Sequence, residues 1–95
     1  MPWKIKYLPE AVEDLDSLNK AAAQRVLTVI EERIINGDPE NLGKPLRHEL
    51  AGCRRIRTGD TRIVYKVHAD QVMVLVVAVG PRRNQEVYKA ARRRL

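Results

Sequence analysis

Three arginines in the stretch CRRIRTGDTRIVYKV have a spacing that could create an anion-binding site. The stretch predicts a β-hairpin, because Gly59 and Asp60 suit a turn and both flanks carry β-branched and aromatic residues. With a two-residue loop, Arg57 pairs with Arg62, and Arg55 lies on the same face of the sheet. Like charges that face each other across a sheet repel. This face therefore needs a compensating anion, and phosphate chains are the abundant polyanions of a cell.

A second group of candidate residues follows an apolar run near the end of the chain. Arg82 and Arg83 come just after the run, where a rigid strand can position the residues of a surface loop. Tyr88 lies six residues beyond Arg82, in the first turns of a predicted helix. Tyr88 could instead pack in the core, because Val87 and Ala91 lie close by on that helix. The arginines suit phosphate binding, since guanidinium is a permanent cation whose fork matches phosphate oxygens.

Other kinds of catalytic site find little support in the sequence. His48, His68 and Cys53 match no zinc-ligand spacing, and there is no glycine-rich phosphate loop. Ser17 is the only serine and lies in an acidic helix, which argues against Ser-His-Asp catalysis. His48, in a basic linking segment, is expected to be a surface residue rather than a catalyst. We therefore expect neither a metal nor another cofactor.

Charge is distributed unevenly along the chain. Residues 1–43 carry five basic and eight acidic side chains, whereas residues 44–95 carry thirteen basic and four acidic ones. The net charge of +6 thus comes from the second half. This asymmetry favours a surface that binds a polyanion, with a solvated basic face as an equal alternative.

Size and composition predict one small domain, residues 1–95, with a single core. The apolar fraction of 44% is sufficient for a folded protein. Cys53 is the one cysteine and cannot form an internal disulfide, which fits a reducing compartment. The amino terminus lacks a signal peptide, and the longest apolar run, 72–79, is too short to span a bilayer. We expect a cytoplasmic protein that does not contact a membrane.

The elements predicted in the first half are a strand and a helical hairpin. Residues 3–7, WKIKY, alternate apolar and basic side chains as a half-buried strand does. Pro9 suits the first turn of a helix. Asn19 is the predicted N-cap of a second helix, whose apolar residues recur at helical spacing through Ile35, before the stop at Asn36. The two helices would lie antiparallel on one face of a sheet.

The second half predicts three strands and a last helix. Leu46 and Leu50 attach a linking segment to the core ahead of the arginine-rich hairpin. Residues 72–79 are apolar at every position, which is typical of a mid-sheet strand covered on both faces. Asn84 is the predicted cap of the final helix, and three closing arginines match its dipole. The fold class is α+β: a small antiparallel β-sheet packed against an N-terminal helical hairpin, with a C-terminal helix (β-α-α-β-β-β-α).

The pattern LGKPLRHEL…RRIRTGDTRIVYKV…VMVLVVAVGPRRNQEVY resembles the RelE/ParE superfamily of bacterial and archaeal toxins. It is most similar to the RelE branch, the ribosome-dependent mRNA interferases. The resemblance covers nearly the whole chain, and its most specific pieces are LR before the hairpin, RIVY on its second strand and VGxR…EVY at the end. The fold that this resemblance implies is the α+β fold predicted above from the spacing of the apolar residues. The resemblance also implies a catalytic set of Arg55, Arg57, Arg62, Arg82 and Tyr88.

The reaction implied by the resemblance is cleavage of mRNA by its own 2′-hydroxyl, without a metal. The arginines would stabilise the developing charge, and Tyr88 would be the general base, assisted by the neighbouring cations. RelE members often carry lysine where this chain has Arg55 and Arg57. Arginine cannot exchange a proton, so both are expected to hold phosphate. The proton donor for the leaving oxygen stays open, although Arg82 could stabilise that oxygen.

The resemblance also implies the partners of the protein: a cognate antitoxin, the ribosome with its A site and 16S rRNA, and mRNA. The antitoxin would cover the arginines or displace the last helix. Further basic residues are expected to contact RNA: Lys44, Arg47, Arg54, Arg83, Lys89 and Arg92. Two alternatives are a ParE-like inhibitor that binds DNA gyrase and a nucleic-acid-binding domain without catalysis. The presence of Arg62, Arg82 and Tyr88 together favours RNA cleavage.

Overall fold

The order of helices and strands agrees with the sequence analysis. A computed structural model describes residues 2–83 and 85–95. Within them the elements are strand β1 (Lys4–Tyr7), helix α1 (Pro9–Asp16), helix α2 (Lys20–Val29), strand β2 (Lys44–Pro45), strand β3 (Cys53–Thr58), strand β4 (Thr61–His68), strand β5 (Met73–Pro81) and helix α3 (Glu86–Arg94). β2 is an additional strand of two residues. The predicted cap Asn84 lies outside the described residues.

The five strands form one sheet in the order β1-β5-β4-β3-β2. The predicted α+β class is confirmed, and β3, β4 and β5 are antiparallel as expected. The sheet is mixed, because β1 pairs with β5 in parallel. The antiparallel prediction came from the short turns between successive strands, and no short turn joins β1 to its neighbour in the sheet. The apolar run lies in β5, in the sheet interior as predicted.

The helical hairpin forms where the apolar periodicity places it. The side-chain Oδ1 of Asn19 accepts a hydrogen bond from the Ala22 N–H at 2.8 Å, so the predicted N-cap is confirmed. α2 passes directly into a π-helical segment, Ile30–Ile35, before the chain turns at Asn36. No helix in residues 2–83 and 85–95 is long and apolar enough to cross a membrane.

Each face of the sheet carries its own apolar cluster. The helical hairpin covers one face, where its buried residues pack with β3, β4 and β5 side chains that include Ile56, Ile63 and Tyr65. The other face packs against α3 and a short 3₁₀ turn through Leu50 and Val87. β5 is therefore covered on both sides, which explains why its sequence shows no polar alternation.

The central hairpin has the register that the sequence predicts. Arg57 lies opposite Arg62, and Arg55 lies opposite Val64. Gly59 has a φ of 60°, in the left-handed region that glycine adopts without strain. On the other side of β4 the register shifts, so that Val77 of β5 is left without a partner in β4. This β-bulge lies beneath α3.

Candidate functional site

A cleft of about 570 Å³ lies between the hairpin, the segment before it and α3. The residues that line it are positioned by three elements: the β3–β4 hairpin, the segment 44–50 and the chain from β5 into α3. None of the described lining residues is acidic. Its basic lining residues are Lys44, Arg47, Arg55, Arg62, Arg82, Arg83 and Arg92. The cleft is therefore a strongly electropositive surface that suits a polyanion.

The hydroxyl of Tyr88 lies at the centre of this cleft, between two arginines. Arg55 Nη1 donates to Tyr88 Oη at 3.3 Å, and Arg62 Nη1 donates to the same oxygen at 3.4 Å. The two arginines come from neighbouring strands, whereas the tyrosine comes from α3. Two cationic groups therefore donate to a single phenol oxygen. Packing alone does not account for this geometry, because Tyr88 is only partly buried.

Arg55 is the most enclosed arginine of the cleft. The residue is 8% exposed, and its Nε has no hydrogen-bond partner among the described residues. A buried charge is costly unless a partner compensates it. Arg55 also lines the cleft, so an anion bound there could compensate its charge.

Arg57 lies beside the cleft rather than in its lining and is exposed. The positive charges of Arg55, Arg62 and Arg82 lower the pKa of the Arg57 guanidinium, with Arg55 as the strongest cause. These four arginines therefore form one electrostatic cluster: the hairpin register predicts the first three, Arg55, Arg57 and Arg62, and Arg82 joins them from the loop after β5. Phosphate oxygens would relieve their mutual repulsion.

A backbone hydrogen bond fixes the loop after β5 against the hairpin turn. The Arg82 N–H donates to the Asp60 carbonyl oxygen at 2.7 Å. The side chains of Arg82 and Arg83 both line the cleft, and both residues are exposed. The loop position of these two arginines agrees with the prediction that a rigid strand end presents them.

The segment before the hairpin brings further basic residues to the cleft. β2 pairs Lys44 with Arg55, which places the lysine next to the arginine cluster. His48 is exposed, as predicted, but it also lines the cleft and has a φ of 57°. Its position at the cleft was not predicted from the sequence. The available signal was that His48 directly follows the LR motif.

Two of the predicted RNA contacts lie away from the cleft. Arg54 is on the opposite face of β3, where its Nε donates to the Leu42 carbonyl oxygen at 2.6 Å and its Nη2 to that of Gly43 at 3.3 Å. Lys89 lines a separate groove of about 390 Å³ on the other side of α3. Arg54 holds the linking segment to the sheet, and the structure gives it no access to the cleft that holds Tyr88.

Arg94, in the last turn of α3, makes a contact that was not predicted from the sequence. The three closing arginines were assigned only to the dipole of the helix. Arg94 instead pairs with Asp14 of α1 through two hydrogen bonds, Nη1 to Oδ2 at 2.6 Å and Nη2 to Oδ1 at 3.0 Å. The hydrogen bond to Asp14 raises the pKa of Arg94. A sequence signal existed, because Asp14 lies in the last turn of a short helix, where a carboxylate is unfavourable.

The chain forms a mixed sheet between a helical hairpin and a single helix, with a basic cleft beside that helix, and this fold is shared with solved structures of bacterial toxins. The fold matches that of an Escherichia coli toxin RelE mutant in the free state, with a TM-score of 0.83 over 100% of this chain and 99% of that one at 24% identity. It also matches the toxin–antitoxin complex RelBE2 from Mycobacterium tuberculosis, with a TM-score of 0.79 over 86% of this chain and 100% of that one at 28% identity.

The family model described as the ParE toxin of type II toxin–antitoxin system, parDE, matches residues 5–86. The chain belongs to this family of toxins. Toxin RelG of Mycobacterium tuberculosis is 31% identical over 85 residues, which is 86% of this chain and 93% of that protein. Toxin RelE of the same organism is 30% identical over 81 residues, or 85% of this chain and 82% of that protein. The resemblance stated from the sequence is thus confirmed, and the chain is a type II toxin of the RelE family.

Proposed function

We propose that this toxin is a ribosome-dependent mRNA endonuclease that cleaves the codon in the A site. The observation that supports it most directly is the hydroxyl of Tyr88, held by two arginines in a cleft whose described lining has no acidic residue. A surface that only binds a polyanion would not need two cations on one phenol oxygen. A reaction that removes a proton beside an anionic phosphate does need such cations.

In this mechanism Tyr88 accepts the proton of the mRNA 2′-hydroxyl. The 2′ oxygen then attacks the adjacent phosphorus, and the bond from phosphorus to the 5′ oxygen breaks. The 5′ oxygen takes up a proton from water, so the products are a 2′,3′-cyclic phosphate and a 5′-hydroxyl end. For this step Tyr88 reacts as the phenolate, whose negative charge is offset by the contacts from Arg55 and Arg62 until the proton is taken up.

The arginines also stabilise the phosphate as its charge increases during the attack. Arg55 lines the cleft and is only 8% exposed, so its guanidinium is a fixed cation that suits a nonbridging phosphate oxygen. Arg57 supplies a second charge from the rim. Arg82, on the loop after β5, is assigned to the leaving 5′ oxygen. Preorganised donors of this kind typically contribute a factor of about 100 to 1,000 in rate each.

We propose a cognate antitoxin as the protein partner. The structures similar to this chain include the toxin–antitoxin complex RelBE2. An acidic, partly disordered segment would complement a cleft without described acidic lining residues and would fold as it binds. The ribosome and its mRNA would be the other partners, held by the same basic residues.

Inhibition of DNA gyrase is the second candidate function, because the matching family model carries the ParE name. That activity depends on protein binding and has no need for the contact between Tyr88 and the arginines. It therefore predicts that removal of one hydroxyl in the cleft leaves toxicity unchanged. A nucleic-acid-binding domain without catalysis predicts binding to naked RNA and no cuts on ribosomes.

The deciding experiment compares Tyr88→Phe with the unmodified toxin on ribosomes that carry a defined mRNA. Primer extension maps the cut ends. We expect cuts in the A-site codon that become at least 100-fold slower in Tyr88→Phe, because the proton acceptor is lost. Tyr7→Phe is the matched control, since Tyr7 lies on β1 outside the cleft lining.

Intact mRNA with the unmodified, folded toxin would reject the proposal, and a gyrase supercoiling assay would then test the second candidate. Cuts that persist at full rate in Tyr88→Phe would reject the role of Tyr88 while leaving the nuclease activity in place.

A further inference from the structure

The position of α3 decides whether Tyr88 can meet its arginines. The two hydrogen bonds to the Tyr88 hydroxyl measure 3.3 and 3.4 Å, so a shift of the helix by about 1 Å would break both. Because Arg55 and Arg62 lie on sheet strands, their positions do not follow the helix. Whatever fixes α3 against the sheet therefore fixes the geometry of the site.

The apolar contacts of α3 are few. Its buried residues are Val87 and Ala91, one turn apart. Arg94 lies at the next position of the same stripe, seven residues after Val87, and so faces the sheet as they do. The stripe that packs α3 onto the sheet ends in a charged side chain, which needs a partner there.

Asp14 supplies that partner and connects three elements. Its Oδ2 accepts from Arg94 Nη1 at 2.6 Å and from the Val79 N–H at 2.9 Å, and its Oδ1 accepts from Arg94 Nη2 at 3.0 Å. Arg94 Nη1 also donates at 3.0 Å to the carbonyl oxygen of Val77, the bulged residue of β5. The pair joins α1, β5 and α3. It is the only salt bridge within the described residues 2–83 and 85–95.

We propose that Asp14 and Arg94 are positioning residues for the cleavage reaction: they hold α3 in the place where Tyr88 contacts Arg55 and Arg62. This inference rests on the proposed function of the cleft. Neither residue lines the cleft, and Arg94 lies about 9 Å along the helix axis from Tyr88. Their effect on the reaction is therefore transmitted by the placement of the helix.

The test uses Asp14→Asn and Arg94→Gln, which remove one charge each at nearly constant shape. Arg93→Gln is the matched control, because it removes the same charge from the same turn at an exposed residue. The first readout is backbone hydrogen exchange of residues 87–95, which requires no RNA. We expect exchange at least tenfold faster in both variants, with β4 unchanged and with Arg93→Gln equal to the unmodified toxin.

The second readout separates positioning from general stability. Cleavage on ribosomes is measured below the unfolding temperature of every variant, as a function of toxin concentration. We expect the maximal cleavage rate to fall at least tenfold in Asp14→Asn and Arg94→Gln. The toxin concentration that gives the half-maximal rate should change little. The double variant should be no slower than either single one, because both changes break the same pair. Arg94→Lys, which keeps the charge, should recover part of the rate.

Three outcomes would overturn the inference: unchanged exchange in α3, a cleavage rate equal to that of the unmodified toxin, or a loss that Arg93→Gln reproduces. If the unmodified toxin does not cleave, the proposed function fails, and the positioning role for cleavage falls with it. The exchange data would then still show whether the pair fixes α3, so the two failures are distinguishable.

Discussion

Tyr88 illustrates how one residue can depend on three segments of the chain. Its hydroxyl oxygen is contacted by arginines of β3 and β4, while its backbone belongs to α3. The hairpin arginines could be predicted to share a face, because cross-strand partners always do. The two contacts to Tyr88 could not be predicted in the same way, since they depend on how far α3 lies from the sheet.

His48 is a residue whose backbone is held in an unfavourable conformation. Its φ of 57° lies in the left-handed region, which costs a residue other than glycine about 1 kcal/mol or more. We predict that His48→Gly raises the unfolding temperature by several degrees, because the relief of strain outweighs the greater freedom of glycine in the unfolded chain. Differential scanning calorimetry measures the shift. His68→Gly, at a φ of −107°, should lower the unfolding temperature, and a decrease in both variants would contradict the prediction.

At the scale of elements, Tyr65 attaches the segment between α2 and β2 to the sheet. Its hydroxyl donates to the Pro39 carbonyl oxygen at 2.9 Å and lies 3.2 Å from that of Leu42. Arg54 donates to the same Leu42 oxygen. Because this segment leads directly into the cleft wall at Lys44, these buried contacts also determine where that wall begins.

Tyr65 should make the stability of the fold depend on pH in the alkaline range. Burial raises the pKa of Tyr65 from 10.0 to about 12, against a smaller opposing effect of Arg54. Between these values the unfolded chain ionises the tyrosine while the folded chain keeps it protonated. Its contribution is therefore complete below pH 10 and is lost as the pH rises towards 12.

We predict that Tyr65→Phe unfolds at lower urea concentration at pH 8, by about 1–3 kcal/mol of lost stability, because the buried Pro39 carbonyl oxygen loses its donor. The variant should also lose less stability than the unmodified protein between pH 10 and 12. Urea denaturation at each pH measures both effects. Burial also raises the pKa of Tyr7, so Tyr7→Phe should remove only the part of the alkaline decrease that Tyr7 itself contributes. Equal pH curves for Tyr65→Phe and the unmodified protein would refute the assignment.

Sequence patterns specified most of the elements and little of their mutual placement. The alternation in WKIKY, the Asn19 cap and the apolar β5 run each have a local cause, and each prediction is confirmed. The parallel pairing of β1 with β5 and the pairing of Asp14 with Arg94 join residues more than 60 positions apart. Such pairings follow from the assembled topology, which no local period encodes.

At the scale of the whole molecule, the uneven charge along the chain becomes a difference in charge between two faces of the fold. The cleft gathers seven of the thirteen basic residues of the second half. The helical hairpin, which with Ile30–Ile35 carries six of the twelve acidic residues of the chain, covers the opposite face. This separation explains why the sequence total of +6 understates the local field that a polyanion would meet.

Binding of single-stranded RNA should therefore weaken steeply with salt. We predict that Arg83→Gln and Arg92→Gln, at the cleft, each reduce the log–log salt slope by about 0.7, the value for one phosphate contact. Arg25→Gln, exposed on α2, should leave it unchanged. Fluorescence anisotropy with a 2′-O-methylated RNA measures binding without cleavage. Equal slopes in all three variants would place the RNA elsewhere.

The position of α3 in chain order has a consequence for biosynthesis. Every strand of the sheet precedes Tyr88, so the ribosome that makes this protein synthesises the tyrosine and Arg94 after the whole sheet. The sheet and its arginines can be in place while α3 is still inside the ribosome. Contact between Tyr88 and the arginines becomes possible only after α3 has emerged. A nascent copy of the toxin thus lacks its complete site until that point of its synthesis.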